Sequence, residues 1–518
     1  MSTILSEEDL NDFVAPALAC TKPTQIVKSK GSVPNENGGG STGDGLEVQV
    51  GIDDGNDGLN VTGEKVTITL SDCLACSGCI TSSEELLLQK QSHTVFLQAL
   101  EADKERRLVV LVAPQARISL ADYFGMKLKD FDLCLANFFG TKLNARYVVG
   151  TQYGRVLTIR QTIGKLLKIK KEREAQGSQL AAKRAPKLST SCPGFVLYTE
   201  KTKPELVPSL LNVKSPQQIT GSLLRNSAPR GESQYILALM PCFDKKLEAL
   251  RPDSVGEVDC VITPKEFVSM LQDLKVEFQE YATEDTNILT ELSPKGWDPS
   301  VHWASNLGLG SSGGLAFQYV EYLRRENPGS RILTLEGKNS NILEYRLVSG
   351  DSDESATTTL ASASVLSGFR NIQNMVWNLS TSKNIRSGRA PAAAKVTRNI
   401  RVRSRRQNDE NPNEGHQKIR QSLTAEPFKV DFIEVNASPS GCINGNGMMG
   451  GGEESSARRK MHVQKMIDLY TETLPVIDPL TVQLPLDIDD TKLYEYDLHA
   501  IGSDKPKAKD IVSVGSSW

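Results

Sequence analysis

No stretch of about 18 or more consecutive apolar residues occurs, so the sequence offers no membrane span and no membrane partner is expected. Around Glu7, Glu8 and Asp9 there is no apolar core segment and no arginine-rich pattern, so this end reads as neither a secretory signal nor a transit peptide. Net charge is nearly absent: the formal value of −3 gives no general attraction to nucleic acid or another polyanion. Cysteine is sparse and odd in number, nine in 518 residues, too few for a disulfide scaffold at this length. The five histidines, His93, His302, His416, His462 and His499, lack metal-ligand spacing, so each reads as a surface or capping residue. There is no internal repeat. The glycines Gly445, Gly447, Gly450, Gly451 and Gly452 are not followed by the G-K-S/T step of a phosphate loop, and suit close backbone approach or a plain turn. A reducing compartment, cytosolic or nuclear, fits these absences, and metal binding becomes the leading use of clustered cysteines.

What is present is an ordinary globular chain. Its 39% hydrophobic content allows sizeable cores with polar insertions between them. The stretch 28–65, rich in Gly, Asn, Asp and Ser, reads as a flexible linker. Val66-Thr67-Ile68-Thr69-Leu70 then alternates as a strand, and Ser82-Ser83-Glu84-Glu85 offers a capping box for a helix beginning near Leu86. Short apolar runs at 108–113, 235–240, 258–262 and 430–435 suit buried strands interleaved with helices, which predicts α/β architecture. From about Leu347 to Ala425 the composition turns to Ser, Thr, Asn and basic residues, with nine Lys or Arg and no acid between Lys383 and Arg406. Such a basic run suits RNA contact or a nuclear signal, but with no aromatic platform interleaved it reads first as a solvated, mobile insertion.

Cys73-x-x-Cys76-x-x-Cys79 is the strongest local signal. Iron-sulfur clusters take thiolates from several directions, and a tight loop with the small Ala75 and Gly78 can wrap one closely. A fourth cysteine does not follow in the loop, where Thr81, Ser82 and Ser83 stand instead. Cys20 is the candidate, since the glycine-rich linker has the reach to return it. Four thiolates also suit structural zinc, so the metal stays open at this point. Three further cysteines lie in tight turns far apart in the chain: Thr190-Ser191-Cys192-Pro193-Gly194, Met240-Pro241-Cys242-Phe243-Asp244-Lys245-Lys246 and Asn436-Ala437-Ser438-Pro439-Ser440-Gly441-Cys442-Ile443-Asn444-Gly445. Loops at strand ends converge in an open α/β sheet, so such cysteines can meet. Cys134 and Cys260, in apolar surroundings, read as small buried hydrophobes.

These three turns, in this order, resemble the cluster-binding signatures of iron-only hydrogenases, together with Ala113-Pro114-Gln115-Ala116-Arg117, Lys214-Ser215-Pro216-Gln217-Gln218, Val258-Asp259 and Gly310-Ser311-Ser312-Gly313-Gly314. Leu10-Asn11-Asp12-Phe13 before Cys20, the loop from Cys73 to Cys79 and the terminal Trp518 narrow the resemblance to the eukaryotic iron-only-hydrogenase-like cytosolic iron-sulfur assembly factors, the nuclear prelamin A recognition factor-like family. The resemblance implies an α/β, two-lobed iron-only-hydrogenase-like fold with a small ferredoxin-like N-terminal region. Its expected limits are a segment 1–27 supplying Cys20, the linker 28–65, a cluster-binding region 66–103, a first lobe 104–234, a second lobe 235–346, the polar and basic insertion 347–425, a return segment 426–475 with the last signature, and a C-terminal tail 476–518.

By the same resemblance, Cys20, Cys73, Cys76 and Cys79 hold one 4Fe-4S cluster, and Cys192, Cys242 and Cys442 hold a second between the lobes. The family's last signature carries another cysteine four positions before the final one, where this chain has Ser438, a hard and poor ligand for iron-sulfur. Hydrogenases carry a proton-relaying cysteine and a methionine at the places of Ser191 and Asn436, while Lys245 is retained, so a hydrogenase scaffold without hydrogen chemistry is implied. The implied function is to relay clusters from an upstream scaffold to the cytosolic iron-sulfur targeting complex, with its β-propeller subunit and associated proteins, in the cytoplasm and also the nucleus. Trp518, ending a weakly patterned tail behind the small Ser517, is the candidate anchor for that complex by a terminal-carboxylate capture mode. An iron-only hydrogenase or electron-transfer oxidoreductase, and a structural metal-binding interaction module, are the alternatives.

Closing the long loop between Cys20 and Cys73 costs only about 0.6 kcal/mol per doubling of its length, which several metal-thiolate bonds offset. Replacing Cys20→Ala is expected to lower the iron content of the anaerobically purified chain; unchanged iron would remove Cys20 from the site.

Overall fold

The computed structural model describes residues 91–175, 185–229, 231–306, 311–349, 358–386, 424–450, 455–485 and 491–501. The strand expected at 66–70 and the helix start near Leu86 lie outside the described residues. In chain order the strands are β1 (Arg107–Val112), β2 (Tyr147–Gly150), β3 (Lys187–Leu188), β4 (Gln234–Leu239), β5 (Cys260–Ile262), β6 (Ser305–Asn306), β7 (Arg331–Glu336), β8 (Ile342–Ser349), β9 (Thr358–Ser367), β10 (Phe432–Asn436) and β11 (Val476–Ile477). The longer helices are α1 (His93–Ala102), α2 (Pro114–Tyr123), α3 (Leu128–Asn137), α4 (Gln152–Ala175), α5 (Pro193–Thr202), α6 (Pro216–Ser227), α7 (Asp244–Ala249), α8 (Pro264–Asp273), α9 (Leu315–Glu326), α10 (Phe369–Arg386) and α11 (Ser456–Thr473). No described helix is long and apolar enough to cross a membrane.

Continuous apolar runs build the first sheet. β1 is buried at every residue after Arg107, and β4 along its whole length. Strands covered on both faces suit a parallel sheet, and the order β2-β1-β4-β5 is parallel throughout, with Val110 beside both Val148 and Leu237. Proline opens α2, α5, α6 and α8, where its fixed φ suits the first turn and its missing N–H loses nothing. These helices therefore start almost at the loops that precede them. Such abrupt starts hold the loop residues in place.

The second sheet is mixed, in the order β3-β10-β9-β8-β7, with β10 parallel to β3 and β9 and the remaining pairs antiparallel. Alternation divides β10 between two apolar clusters. Phe432 packs with Tyr319, Tyr345 and Leu347, whereas Ile433 and Val435 pack with Leu188, Phe195 and Leu366. Glu434 shares the face of Phe432, and its carboxylate accepts from Ala316 N at 2.9 Å, capping α9. Both sheets draw on the segments 104–234 and 235–346, so neither segment is a sheet by itself: β4 and β5 join β1 and β2, while β3 crosses to join β10.

Two expected segments are drawn differently. Within 347–425, β9 occupies the middle of the second sheet and α10 packs on it. Its small polar residues concealed this; Ser364 is fully buried because its hydroxyl donates to Pro427 O at 2.7 Å. Residues 387–423 lie outside the described residues. Within the expected tail 476–518, β11 pairs with β6, and Tyr494 and Tyr496 are each 4% exposed, so the chain is anchored there by buried aromatic rings.

His302 is buried, not a surface residue, because neighbours satisfy both ring nitrogens. Gly150 N donates to Nδ1 at 3.1 Å, so the proton sits on Nε2, 2.8 Å from Ser293 Oγ, which in turn donates to Leu289 O. Burial, and then the nearby Arg117 cation, lower its pKa from 6.5 to about 3. The folded ring stays neutral where the unfolded one protonates, so its contribution is intact above about pH 6.5 and falls by about 1.4 kcal/mol per unit below it. Between about pH 6.5 and pH 5 this predicts a loss of about 2 kcal/mol in wild type that His302→Gln does not show. Urea unfolding of both chains at the two pH values measures the difference; equal losses would contradict it.

Candidate metal centre

Cys192, Cys242 and Cys442 come from segments far apart, and each sits where a strand gives way to a tight turn. Cys192 precedes Pro193 as the N-terminal boundary of α5. Cys242 follows β4 through Met240-Pro241 and leads into α7. Cys442 opens a single helical turn, Cys442–Asn444, after β10. The three thiols feel one another: ionised Cys442 raises the pKa of both Cys192 and Cys242, and Cys192 also raises that of Cys242. Folding therefore brings these three predicted residues together.

Glycine explains how the last signature closes on the second. A Cβ on Gly445 would stand 2.3 Å from Pro241 O, and Gly447 N donates to that same carbonyl at 3.1 Å. The turn from Ser438 to Gly441 passes through Ser440 at φ 60° and Gly441 at φ 82°, the left-handed region that favours glycine at the second. Any side chain on Gly441 would also meet Ser312 Oγ. The backbone thus reaches Cys442 in a conformation that few other sequences adopt.

Electrostatics at the three sulfurs are unfavourable without a positive centre. Burial, then Asp244 and Cys442, push the Cys192 thiol up to about 12. Burial first, and then the Asp244 carboxylate, hold Cys242 well above the usual thiol range, and burial raises Cys442 too. Opposing groups are arranged around them. Ala437 N donates to Cys192 Sγ at 3.3 Å, and Ser312 hydrogen-bonds the Cys442 thiol while its Oγ accepts from Cys442 N at 2.8 Å. The Lys245 ammonium favours the thiolates of Cys242 and Cys442, and Arg155 that of Cys442. Burial works against the charge on Lys245, but Glu248 and the two thiols outweigh it, so its pKa is raised. A thiolate-bound metal centre fits this donor set, because coordination deprotonates thiols that burial alone keeps neutral.

Among the described residues, no three or more His, Cys, Asp or Glu side chains converge on a single ion position. A cluster binds each thiolate at a different iron, so its ligands need not converge on one point. Ser438 is partly buried, and its carbonyl accepts from Gly441 N at 3.1 Å in the turn leading to Cys442. Ser191 O accepts from Lys245 Nζ at 3.2 Å, and Asn436 is buried at the end of β10. Cys134 and Cys260 stand apart as fully buried thiols, both pushed up to about 12 by burial. Cys20, Cys73, Cys76, Cys79 and Trp518 lie outside the described residues. Sequence reasoning missed Glu248 and Tyr496 near the site. Glu248 had the signal of helical spacing from Lys245, whereas the stretch around Tyr496 had none.

The family model described as iron only hydrogenase large subunit, C-terminal domain, matches residues 106–446. The chain is 48% identical to the cytosolic Fe-S cluster assembly factor NAR1 of Saccharomyces cerevisiae, and the match covers 100% of both chains. It is 46% identical to NAR1 of Kluyveromyces lactis with the same coverage. Among solved structures, an FeFe-hydrogenase aligns at a TM-score of 0.54 with 18% identity, covering 79% of this chain and 99% of that one. A variant of the FeFe-hydrogenase HydA1 from Chlamydomonas reinhardtii aligns at 0.53 with 20% identity and the same coverage. These structures establish the shared fold, which is the two-lobed α/β fold of iron-only hydrogenases.

Exchanging Ser438→Cys adds a thiol to the turn that carries Cys442. In anaerobically prepared protein the exchange is expected to slow the loss of iron to a chelator, since a soft thiolate replaces a hard oxygen. Loss at the wild-type rate would mean that Ser438 does not face bound iron.

Proposed function

Since this chain belongs to the NAR1 family of cytosolic iron-sulfur cluster assembly factors, we propose that it holds two 4Fe-4S clusters and relays clusters from an upstream scaffold to a targeting complex. The observation that carries this reading is the meeting of Cys192, Cys242 and Cys442, from three separated turns, in one electrostatically coupled group. Those three hold the second cluster, with Ser438 the candidate for its fourth position. Cys20, Cys73, Cys76 and Cys79 hold the first. The relatives over the whole length of the chain are assembly factors, so a hydrogenase scaffold here serves cluster assembly rather than hydrogen turnover. The compartment is the cytoplasm, with delivery to nuclear proteins as well as cytosolic ones.

An iron-sulfur cluster bound at the three cysteines would supply a thiolate-ligated iron centre able to take up or give an electron. The residues around it do the rest. Ala437 N stabilises negative charge on the Cys192 sulfur, and Lys245 does so for Cys242 and Cys442. Glu248 holds Lys245 in place at 2.7 Å. The cysteines lie where both apolar bodies meet, Cys192 packing against the second cluster of buried residues and Ile443, next to Cys442, within the first. Removing the bound group would therefore loosen the join between the sheets.

Delivery needs a partner, and the complex with its β-propeller subunit is the proposed one. Trp518 is its proposed anchor: the indole enters a pocket while the terminal carboxylate meets basic groups or backbone donors. Buried aromatic anchors of this kind commonly cost about 2 kcal/mol or more when removed, roughly a thirtyfold loss of affinity. Deleting Trp518 is expected to leave iron content and fold unchanged while weakening capture of the targeting complex by at least this factor. Equal capture by intact and shortened chains, both fully loaded with iron, would refute the assignment.

A further inference from the structure

We propose that residues 491–501 form a clasp that retains the group held by Cys192, Cys242 and Cys442, with Tyr496 as its positioning residue; this rests on the reading that those cysteines hold an iron-sulfur cluster. The segment bridges the two halves of the molecule. Leu493 and Tyr494 pack into the apolar body of the first sheet, and Leu498 packs into that of the second. Between these anchors the backbone is tied at several points: Lys214 N donates to Tyr494 O at 2.7 Å, Asp497 N to Asp253 Oδ2 at 2.6 Å, and Ile501 N to Glu200 O at 2.8 Å.

The helices it ties are those that begin at the cysteines. α5 starts directly after Cys192 and carries Glu200 toward its other end, while α7 starts two residues after Cys242 and leads to Arg251. Arg251 donates to both carboxylate oxygens of Glu200, at 2.7 and 3.1 Å, and to Asp497 O at 3.2 Å. Its guanidinium lies over the Tyr496 ring, 5.1 Å from the centroid, and His499 N donates to Glu200 Oε1 at 3.3 Å. The clasp therefore fixes the spacing of α5 and α7, and with it the spacing of Cys192 and Cys242.

Tyr496 extends this hold to the sulfurs themselves. Its hydroxyl donates to Glu248 Oε1 and accepts from Ser215 N at 3.2 Å. The other Glu248 oxygen accepts from Lys245 Nζ at 2.7 Å, and Lys245 also donates to the carbonyl of Ser191, the residue before Cys192. Lys245 is the ammonium whose charge reaches Cys242 and Cys442. One buried chain of hydrogen bonds thus runs from the clasp to the turns of Cys242 and Cys192, and the Lys245 charge acts on Cys442 beside them. Taking away the tyrosine hydroxyl leaves a carboxylate oxygen and the Ser215 amide short of a partner at buried positions, without removing the ring that fills the space.

The test compares full-length wild type and Tyr496→Phe, both loaded with clusters anaerobically and challenged with an iron chelator. Loss of visible charge-transfer absorption is followed as two components, and the second-site component is identified by its absence in a Cys242→Ala chain. Tyr496→Phe is expected to release that component about tenfold faster while the other is released at the wild-type rate. Hydrogen exchange supplies an independent readout, because coupling is reciprocal: the amides of 491–501 are expected to exchange faster in iron-free wild type than in the loaded chain. Wild-type release kinetics in Tyr496→Phe, equal acceleration of both components, or a clasp whose exchange ignores iron would each overturn the proposal. A wild-type chain with no component dependent on Cys242 would instead overturn the cluster assignment on which it rests.

Discussion

Three partly buried cysteine thiols held near one another repel as soon as they ionise, and burial deepens that penalty. Cys192, Cys242 and Cys442 are all driven toward the neutral form, with the Asp244 carboxylate adding to the effect at the first two. No apolar packing advantage explains placing sulfur from three distant turns at one junction; Cys134 and Cys260 show how thiols serve as plain core residues, both within the apolar body of the first sheet. A positive centre bound by all three would change the sign of the interaction. The turns that carry them approach closely: proline starts α5 directly after Cys192, and glycines let the Cys442 turn close upon Pro241 beside Cys242.

The charged groups near this point are arranged in linked pairs rather than singly. Lys245 answers to Glu248 and to the thiols, Glu248 to Tyr496, and Arg251 to Glu200 and Asp253. Breaking one buried member leaves its partner uncompensated, which makes such networks more sensitive to loss than their net stabilising effect implies. They also connect segments that share no strand pairing. Lys214 is another instance: buried, it pairs with Glu257 beside β5, and its backbone N–H donates to Tyr494 O.

Much of this was legible in the residues. The apolar runs beginning at Leu108, Tyr235 and Val430 become β1, β4 and β10 because a strand buried on both faces has to be apolar nearly throughout. The three cysteine turns could be picked out since Pro and Gly punctuate them, and a resemblance to a family then tied them into one site. Other features had no local trace. β9 carries Ser and Thr into the heart of a sheet, and its buried Ser364 donates to Pro427, a partner far along the chain. Tyr496 lies in a stretch with no periodicity, and its role depends on Glu248 and Ser215, both distant in sequence. His302 became a core residue through Gly150 and Ser293, neither of which composition could connect to it. Pattern reveals elements that bury one continuous face; it is silent where burial is bought by hydrogen bonds between remote positions.

By the resemblance drawn from the sequence, Ser438 stands where the last signature would carry a further cysteine, which makes the content of the three-cysteine site the central question. Mössbauer spectroscopy of isotope-enriched protein, isolated anaerobically with iron and acid-labile sulfide counted on the same sample, addresses it directly. Two 4Fe-4S clusters predict roughly eight iron and eight sulfide per chain, with roughly half of each, and one set of spectral lines, lost when Cys192, Cys242 and Cys442 are replaced. Zinc in place of iron, or an iron spectrum indifferent to that replacement, would contradict the account.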